Sequence, residues 1–331
     1  MKEALLAAVD RFHELRLLVV GDVMLDIFDF CRSSESKPID SEKLGKRAYL
    51  SHESVRTLGG AGNVAVNAVS LGAQVDLVGL VGQDGHRFTM ESLAAKRGVE
   101  AALVEDPDRH TTTKTRLYID DEYQLRWDEE STTPLAGALA ETLIGLACDK
   151  ARRSQAVILS DYAKGVFTPE VSRRISQAAA DAKVPVVIDF KPANRALFEG
   201  GNILCPNETE AKALLPDFSQ RLAEGKLEAA VCDLHQALRA NRVVVTLGAK
   251  GICGFNGERF FHLPGHRVGA VDAVGCGDTV RVGLALGHAL GLRLEEAAAL
   301  ANAAAAVIVQ KPATACLSAD ELRRFISENI P

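Results

Sequence analysis

The sequence has no CxxC pair, and its seven cysteines, at positions 31, 148, 205, 232, 253, 276 and 316, are scattered. An odd, dispersed set argues against a disulfide framework or a zinc site and points to a reducing cytoplasm. There is no strong basic block, and the net charge is −6, which argues against nucleic acid or an anionic membrane as partner. No apolar run nears the ~18–20 residues of a membrane span. The opening MKEALLAAVDRFHELRL reads as an amphipathic helix without the apolar core and cleavage site of a signal peptide. Three catalytic signatures are missing as well. Without GxxxxGK[ST] there is no P-loop; without HExxH, and with eight dispersed histidines, no metallohydrolase; without GxSxG, no serine-hydrolase elbow. No internal repeat or low-complexity linker marks a domain boundary.

What the 331 residues do have is 47% hydrophobic content arranged in an α/β rhythm. Leu15–Gly21, Gln74–Gly82, Ala156–Ser160, Val184–Asp189 and Arg242–Leu247 are short apolar runs suited to buried parallel strands. Helical stretches at 135–153, 169–183, 207–214 and 218–239 lie between or after them. Alternation of this kind predicts a doubly wound, mainly parallel sheet flanked by helices. Polar residues follow most strands: Asp22 and Asp26, Asp161 with Lys164, Asp189 with Lys191, Asn207 with Glu210, Thr246 with Gly248. Loops at the carboxyl edge of such a sheet form its active site. For Asp22 and Asp26 a turn and helix cap explains the residues equally well on local grounds.

The stretch with most chemistry is 271–290, VDAVGCGDTVRVGLALGHAL. A glycine-rich turn runs into an apolar helix, so free N–H groups and the positive end of the helix dipole point into the turn. That is an anion site. Asp278 beside it would repel an anion, which fits a base that deprotonates an attacking hydroxyl; a plain helix cap is the competing explanation. Upstream, Gly59, Gly60 and Gly62 open a small-residue helix with Asn63 and Asn67 one turn apart, and two helix-interior asparagines on one face imply a contact. Residues 111–128, TTTKTRLYIDDEYQLRWD, alternate around an Asp-Asp-Glu turn and predict a hairpin. Lys114, Arg116 and Arg126 then converge on one face, as a solvated surface or as a grip on an anionic substrate. The polar segment 31–57 is a lid, a small sheet or a long surface loop. The alanine-rich 297–306 packs helices closely or leaves room for a flat heterocycle.

Gly60-Ala-Gly62-Asn-Val-Ala65 also matches GxGxxG/A and opens a helix, as in NAD-dependent oxidoreductases. The preceding SHESVRTL is polar where that motif needs a buried strand, so the match is weak. Phosphoryl transfer without a P-loop accounts for more of the chain.

LGGAGNVAVNAVSLGAQVDLVGLVGQDG near the front and DAVGCGDT near the back resemble the paired signatures of the ribokinase/PfkB sugar-kinase family, in its order, over about residues 15–325. The resemblance implies one kinase domain over 1–331 with a small β lid from 28–58 and 110–128, using ATP and Mg2+. Asp278 would be the base, and the amides of Gly275, Cys276 and Gly277 the anion hole. Asn207 and Glu210 would match the element that arranges magnesium and phosphate, with Glu210 meeting the metal through water. Thr246, Gly248 and Gly251 would match the nucleotide loop, with Asn302 on the adenine side. Asp22, Gly60 and Asn63 would hold sugar hydroxyls. GDVMLD, TTTKTR, LRWDEE and SDYAKG resemble the bacterial heptose-7-phosphate 1-kinases, which act in lipopolysaccharide precursor synthesis. This implies a heptose 7-phosphate phosphorylated at O1, with Lys114, Arg116 and Arg126 contacting it. The acceptor alternatives are ribose, fructose, a hexose phosphate or a nucleoside, and a non-catalytic nucleotide- or sugar-binding regulator is the other class. The resemblance further implies a homodimer through the lid and leaves open a monovalent-ion site near Asp272. The chain departs from the family at Ala273, which replaces a hydroxyl residue; at 31–57, which lacks a Pro-rich strand; and at Arg281, a charge in an apolar helix.

Overall fold

The computed structural model describes residues 1–311 and 315–331. A first helix, α1 (Lys2–Val9), precedes β1 (Arg16–Gly21). The chain then passes through Asp22 alone into β2 (Val23–Cys31), so no turn and helix follow β1. Short strands β3 (Lys37–Pro38) and β4 (Arg47–Ala48) pair with each other inside the polar segment, and β5 (Ser51–Gly60) leads straight into α2 (Ala61–Ser70). SHESVRTL is therefore a strand, but an exposed one. Next come β6 (Gln74–Gly82), α3 (His86–Lys96), β7 (Val99–Asp106) and the hairpin β8 (Thr113–Ile119) and β9 (Glu122–Glu129). Asp120 and Asp121 sit at φ 50° and 65°, the backbone that a tight hairpin turn requires and that Asp tolerates.

The second half runs α4 (Gly137–Ala151), β10 (Ala156–Ser160), α5 (Pro169–Asp181), β11 (Val186–Asp189), β12 (Ile203–Leu204) and α6 (Glu208–Leu214). The expected helix over 218–239 is two, α7 (Phe218–Ala223) and α8 (Leu227–Leu238), broken at Gly225 with φ 72°. Strands β13 (Arg242–Thr246), β14 (Ile252–Phe255) and β15 (Phe260–Leu263) follow, then α9 (Cys276–Ala289), α10 (Leu294–Ile308) and α11 (Ala319–Asn329).

The large sheet orders its strands β7-β6-β1-β10-β11-β12-β13-β14-β15. It is parallel from β7 to β13, and β14 and β15 close one edge antiparallel. Both faces are covered, which is why β1 is apolar at consecutive positions. Leu17 and Val19 enter one core with α2, α9 and α10, while Leu18 and Val20 enter the other with α4, α5 and α8. The alanine run of α10 does pack closely: a β-carbon on Gly283 of α9 would lie 2.8 Å from the Ala301 Cα, and one on Gly287 2.8 Å from the Ala297 Cβ.

The second sheet orders β5-β2-β8-β9. Its strands begin earlier than 28, because β2 continues almost directly from β1. Lys114 lies opposite Asp128 and Arg116 opposite Arg126, so the three cations share one face of the hairpin.

Candidate functional site

One cavity of about 1260 Å³ lies between the two sheets, at the carboxyl ends of the parallel strands and the N-terminus of α9. Its lining combines three groups of polar and glycine residues. The small sheet and α2 supply Asp26, Gly60, Asn63, Lys114 and Arg116. The large sheet and its loops supply Asp189, Asn207, Glu210, Thr246, Gly248 and Gly251. Helices α9 and α10 supply Gly275, Gly277, Asp278, Arg281 and Asn302, and Cys276 lines it too. Of the residues that the family resemblance assigns to substrate, nucleotide or catalysis, Asp22 and Arg126 do not line it.

Asp278 occupies the first turn of α9 and is 8% exposed. It does not cap the helix with its side chain. Its Oδ2 accepts from Asn63 Nδ2 at 2.6 Å, and its Oδ1 accepts from the Tyr162 hydroxyl at 3.1 Å and Arg281 Nη1 at 3.4 Å. Asn67 explains the second asparagine of α2: its Nδ2 donates to the Asn63 carbonyl at 2.9 Å, and its Oδ1 accepts from the Thr279 hydroxyl at 3.2 Å. A polar ladder thus ties α2 to α9 and fixes the carboxylate.

The turn before α9 puts Gly275 at φ 80°, a left-handed conformation that glycine adopts without strain. The N–H of Cys276 bonds to the Ala273 carbonyl at 3.3 Å and that of Thr279 to the Gly275 carbonyl at 3.1 Å. The N–H groups of Gly275, Gly277 and Asp278 have no acceptor among the described residues. Of the amides expected to hold an anion over 275–277, those of Gly275 and Gly277 are therefore free and that of Cys276 is engaged, while the Asp278 amide beside them is free as well.

Behind this turn, Arg281 Nη2 donates to Asp189 Oδ1 at 2.6 Å. Burial pushes the Asp189 carboxyl up to about 6, although Arg281 pulls the other way. Burial also opposes the charge on Arg281, but Asp189 and Asp278 outweigh it and hold the guanidinium protonated more firmly than usual. Tyr162 is pushed up by burial and then by the charge of Asp278, so its hydroxyl stays a donor.

Toward the nucleotide-loop side, Asn207 caps α6. Its Oδ1 accepts from the Glu210 N–H at 2.9 Å, and Glu210 Oε2 accepts from the Asn207 N–H at 3.0 Å, a reciprocal capping box. Glu210 Oε1 also accepts from Lys191 Nζ at 2.7 Å, and Lys191 lies 5.3 Å above the Tyr162 ring. Thr246 at the end of β13 bridges to Asn207. Gly251 has φ 96°, and a β-carbon there would lie 2.1 Å from the Leu263 carbonyl oxygen. Asn302 Nδ2 donates to the Pro264 carbonyl at 2.9 Å. Among the described residues no group of three or more His, Cys, Asp or Glu side chains could hold a metal on its own, and no helix is long and apolar enough to cross a membrane.

On the small sheet, each cation has a carboxylate. Lys114 Nζ and Arg126 Nε reach Asp128 at 3.0 and 2.9 Å, while Arg116 reaches Asp26 at 2.7 Å and lies 4.9 Å over the Phe28 ring. Lys114 and Arg126 thus share one carboxylate, Asp128. Asp22 is 1% exposed, and its oxygens accept from the backbone N–H groups of Tyr162, Lys164 and Val166 at 2.7, 3.1 and 3.3 Å. It shapes the loop that carries Tyr162 rather than facing the cavity. Tyr162 itself escaped the reading of the sequence; its only signal there was its place in SDYAKG directly after β10.

Comparison with known proteins agrees with this geometry. Residues 15–320 match the model of the pfkB family carbohydrate kinases. The chain is 36% identical over 315 residues to the Bifunctional protein HldE of Bradyrhizobium sp. (strain ORS 278), covering 94% of this chain and 63% of that protein. It is likewise 36% identical to the HldE of Caulobacter vibrioides over 97% of this chain and 65% of the relative. The chain thus spans somewhat under two thirds of these relatives' length. In fold it is similar to Escherichia coli phosphofructokinase-2 in complex with potassium (TM-score 0.73, 20% identity, 95% of this chain and 99% of that one). It is also similar to Arabidopsis thaliana ribokinase complexed with ribose and ATP (TM-score 0.70, 22% identity, 94% and 98%). A doubly wound sheet, a cavity at its carboxyl edge and a family match spanning nearly the whole chain lead to one conclusion: the chain belongs to the pfkB family of carbohydrate kinases.

Proposed function

We propose that this chain transfers the γ-phosphoryl group of ATP to a sugar phosphate, with a heptose 7-phosphate phosphorylated at O1 as the acceptor. The observation that carries the reading is the meeting of Asp278 with the free amides of Gly275, Gly277 and Asp278 in one cavity. A base and an anion cradle lie side by side, as in-line phosphoryl transfer requires. In this reading the acceptor hydroxyl oxygen attacks the γ-phosphorus and its proton passes to Asp278, while Asn63 and Tyr162 keep the carboxylate aimed. The three amides hold the transferring group. Gly60 and Asn63 border the acceptor, and Thr246, Gly248, Gly251 and Asn302 border the nucleotide.

Magnesium, when bound, would neutralise charge on the phosphates. The donors present suit an ion held mainly by phosphate and water: Glu210 lines the cavity, but both its oxygens already accept hydrogen bonds. Asn207 and Glu210 would orient that hydration shell. A monovalent cation beside Asp272 belongs to the same proposal and is checked by comparing turnover in potassium and tetramethylammonium salts.

The cations of the hairpin support a phosphorylated acceptor, with Lys114 and Arg116 lining the cavity nearest to it and Arg126 steering from the rim. The opposite face of the hairpin exposes Leu125 and Trp127, the latter 48% exposed. Such a face suits a second copy of the chain, and we include a homodimer through this sheet. The unpaired state of all seven cysteines supports work in the cytoplasm.

The test is ATP consumption with magnesium against sugars, sugar phosphates and nucleosides. Turnover confined to phosphorylated sugars, highest on heptose 7-phosphate, is expected. Turnover only on neutral sugars would reduce the cationic hairpin to a surface feature. Asp278→Asn should lower turnover by about three orders of magnitude or more while ATP still binds.

A further inference from the structure

Arg281 has no place in the scheme above. It is a guanidinium in an otherwise apolar helix, 8% exposed, and it lines the cavity. A structural ion pair with Asp189 would use two of its nitrogens. The geometry does not stop there. Nη2 is bonded to Asp189 at 2.6 Å, Nη1 reaches Asp278 only at 3.4 Å, and Nε is buried with no acceptor among the described residues. Nη1, held only at long range, therefore keeps donor capacity for a ligand in the cavity that Arg281 lines. Where that ligand would sit is also marked. A β-carbon on Gly277 would lie 2.5 Å from Arg281 Nη1. The guanidinium therefore packs against the peptide whose N–H belongs to the anion cradle.

We propose that Arg281 is a catalytic residue whose guanidinium contacts the transferring phosphoryl group. The inference rests on the kinase reading above. During transfer the acceptor oxygen bonds to the γ-phosphorus, the bond from that phosphorus to the bridging oxygen breaks with its electrons leaving on ADP, and the hydroxyl proton moves to Asp278. Asp278 thereby loses its negative charge as charge spreads over the phosphoryl oxygens. Arg281 stands between the two, weakly held by the carboxylate and adjacent to the cradle. Its Nη1 can follow the charge from one to the other while Asp189 keeps the group in place. A cation fixed in advance needs no reorganisation at that moment. It also offsets the three carboxylates, Asp189, Glu210 and Asp278, that would otherwise repel the phosphates, a task it shares with Lys191; Tyr162 and Cys205, the other titratable groups near it, stay neutral.

The experiment compares wild type, Arg281→Met, Arg281→Lys and the double variant Asp189→Asn/Arg281→Met. With the best acceptor from the panel, Arg281→Met should lower kcat about 100-fold or more, with both KM values within about threefold. Arg281→Lys should recover part of the loss. The double variant removes both members of the buried pair, which protects the fold from an unpaired carboxylate. It should stay as slow as Arg281→Met, and recovery of wild-type kcat there would show a structural role only and overturn the proposal. A second arm needs no acceptor: the calorimetric Kd of Mg·ADP with and without aluminium fluoride, a mimic of the transferring group. Wild type should tighten about tenfold or more and Arg281→Met should not, with plain Mg·ADP binding alike in both. Equal tightening in the two, or none in wild type, overturns the role of Arg281. A chain that turns over no sugar yet shows the differential tightening would instead remove the kinase reading while keeping this contact.

Discussion

Asp22→Asn separates a residue that holds the acceptor from one that builds the loop around it. In the structure the Asp22 carboxylate is out of the cavity, buried, and bound by three backbone N–H groups of residues 162–166. Burial raises its pKa to about 6 from 3.8, and the three hydrogen bonds only partly oppose this. A carboxyl raised on folding contributes its stability in the protonated form: the contribution is complete below 3.8 and fades as pH rises through about 6. With about 1.4 kcal/mol per pH unit, the span from 3.8 to about 6 amounts to about 3 kcal/mol. The asparagine is neutral throughout and has no such slope. Its amide cannot accept all three N–H groups, which costs about 1–3 kcal/mol, but that cost does not vary with pH. Urea unfolding of both proteins between pH 4 and pH 7.5 should thus show the stability difference moving by about 3 kcal/mol in favour of the asparagine as pH rises. At pH 7.5 the variant's KM for the acceptor should stay within about twofold. A pH-independent stability difference, or an acceptor KM raised tenfold with stability unchanged, would refute the assignment of Asp22 to the loop.

Tyr162→Phe deletes one charge-assisted hydrogen bond to Asp278 without opening a cavity, so kcat should fall by about 10-fold or more with an unchanged melting temperature; a wild-type kcat would detach Tyr162 from the base. Asn207→Ala removes the cap of α6 and should cost about 1 kcal/mol in unfolding experiments. The same variant should raise the KM for ATP more than that for the acceptor, since Asn207 borders the nucleotide side. Gly59→Ala would place a β-carbon 2.2 Å from Asp26 Oδ2, forcing Asp26 away from Arg116. An acceptor KM several-fold higher, with the ATP KM unchanged, is the expected result, and equal changes in both would point to general strain.

The parallel strands were legible because burial on both faces demands consecutive apolar residues; β1 shows that pattern from Leu17 on, and β6 with Asp76 as its one charged residue. The second sheet was harder. Strand β2 hides behind Asp22 and Asp26, residues that read as a turn, and β5 hides in SHESVRTL because its outer positions are exposed and polar. Each becomes a strand by pairing: β5 with β2, and β2 with β8 on its other side. That information is tertiary and leaves no local period to find. The site divides along the same line. Asp278, Gly275, Asn207 and Glu210 occupy short segments whose backbone geometry is local, so their places after a strand or at a helix start were visible, and the family resemblance supplied their expected roles. Asn63 and Asn67 were visible as an oddity of one helix face, and their partners on α9 supplied the reason. Tyr162, Asp189 and Arg281 come from three separate elements and acquire meaning only when β10, β11 and α9 converge. Arg281 shows this most sharply. In the sequence it is an unexplained charge in an apolar helix, because one turn of helix cannot reveal what lies across from it. The fold places Asp189 on one side of it, the base on another, and the Gly277 peptide beside its Nη1. A buried cation is expensive, and Nη1, with only a long contact to Asp278, is the nitrogen we set against the phosphoryl group.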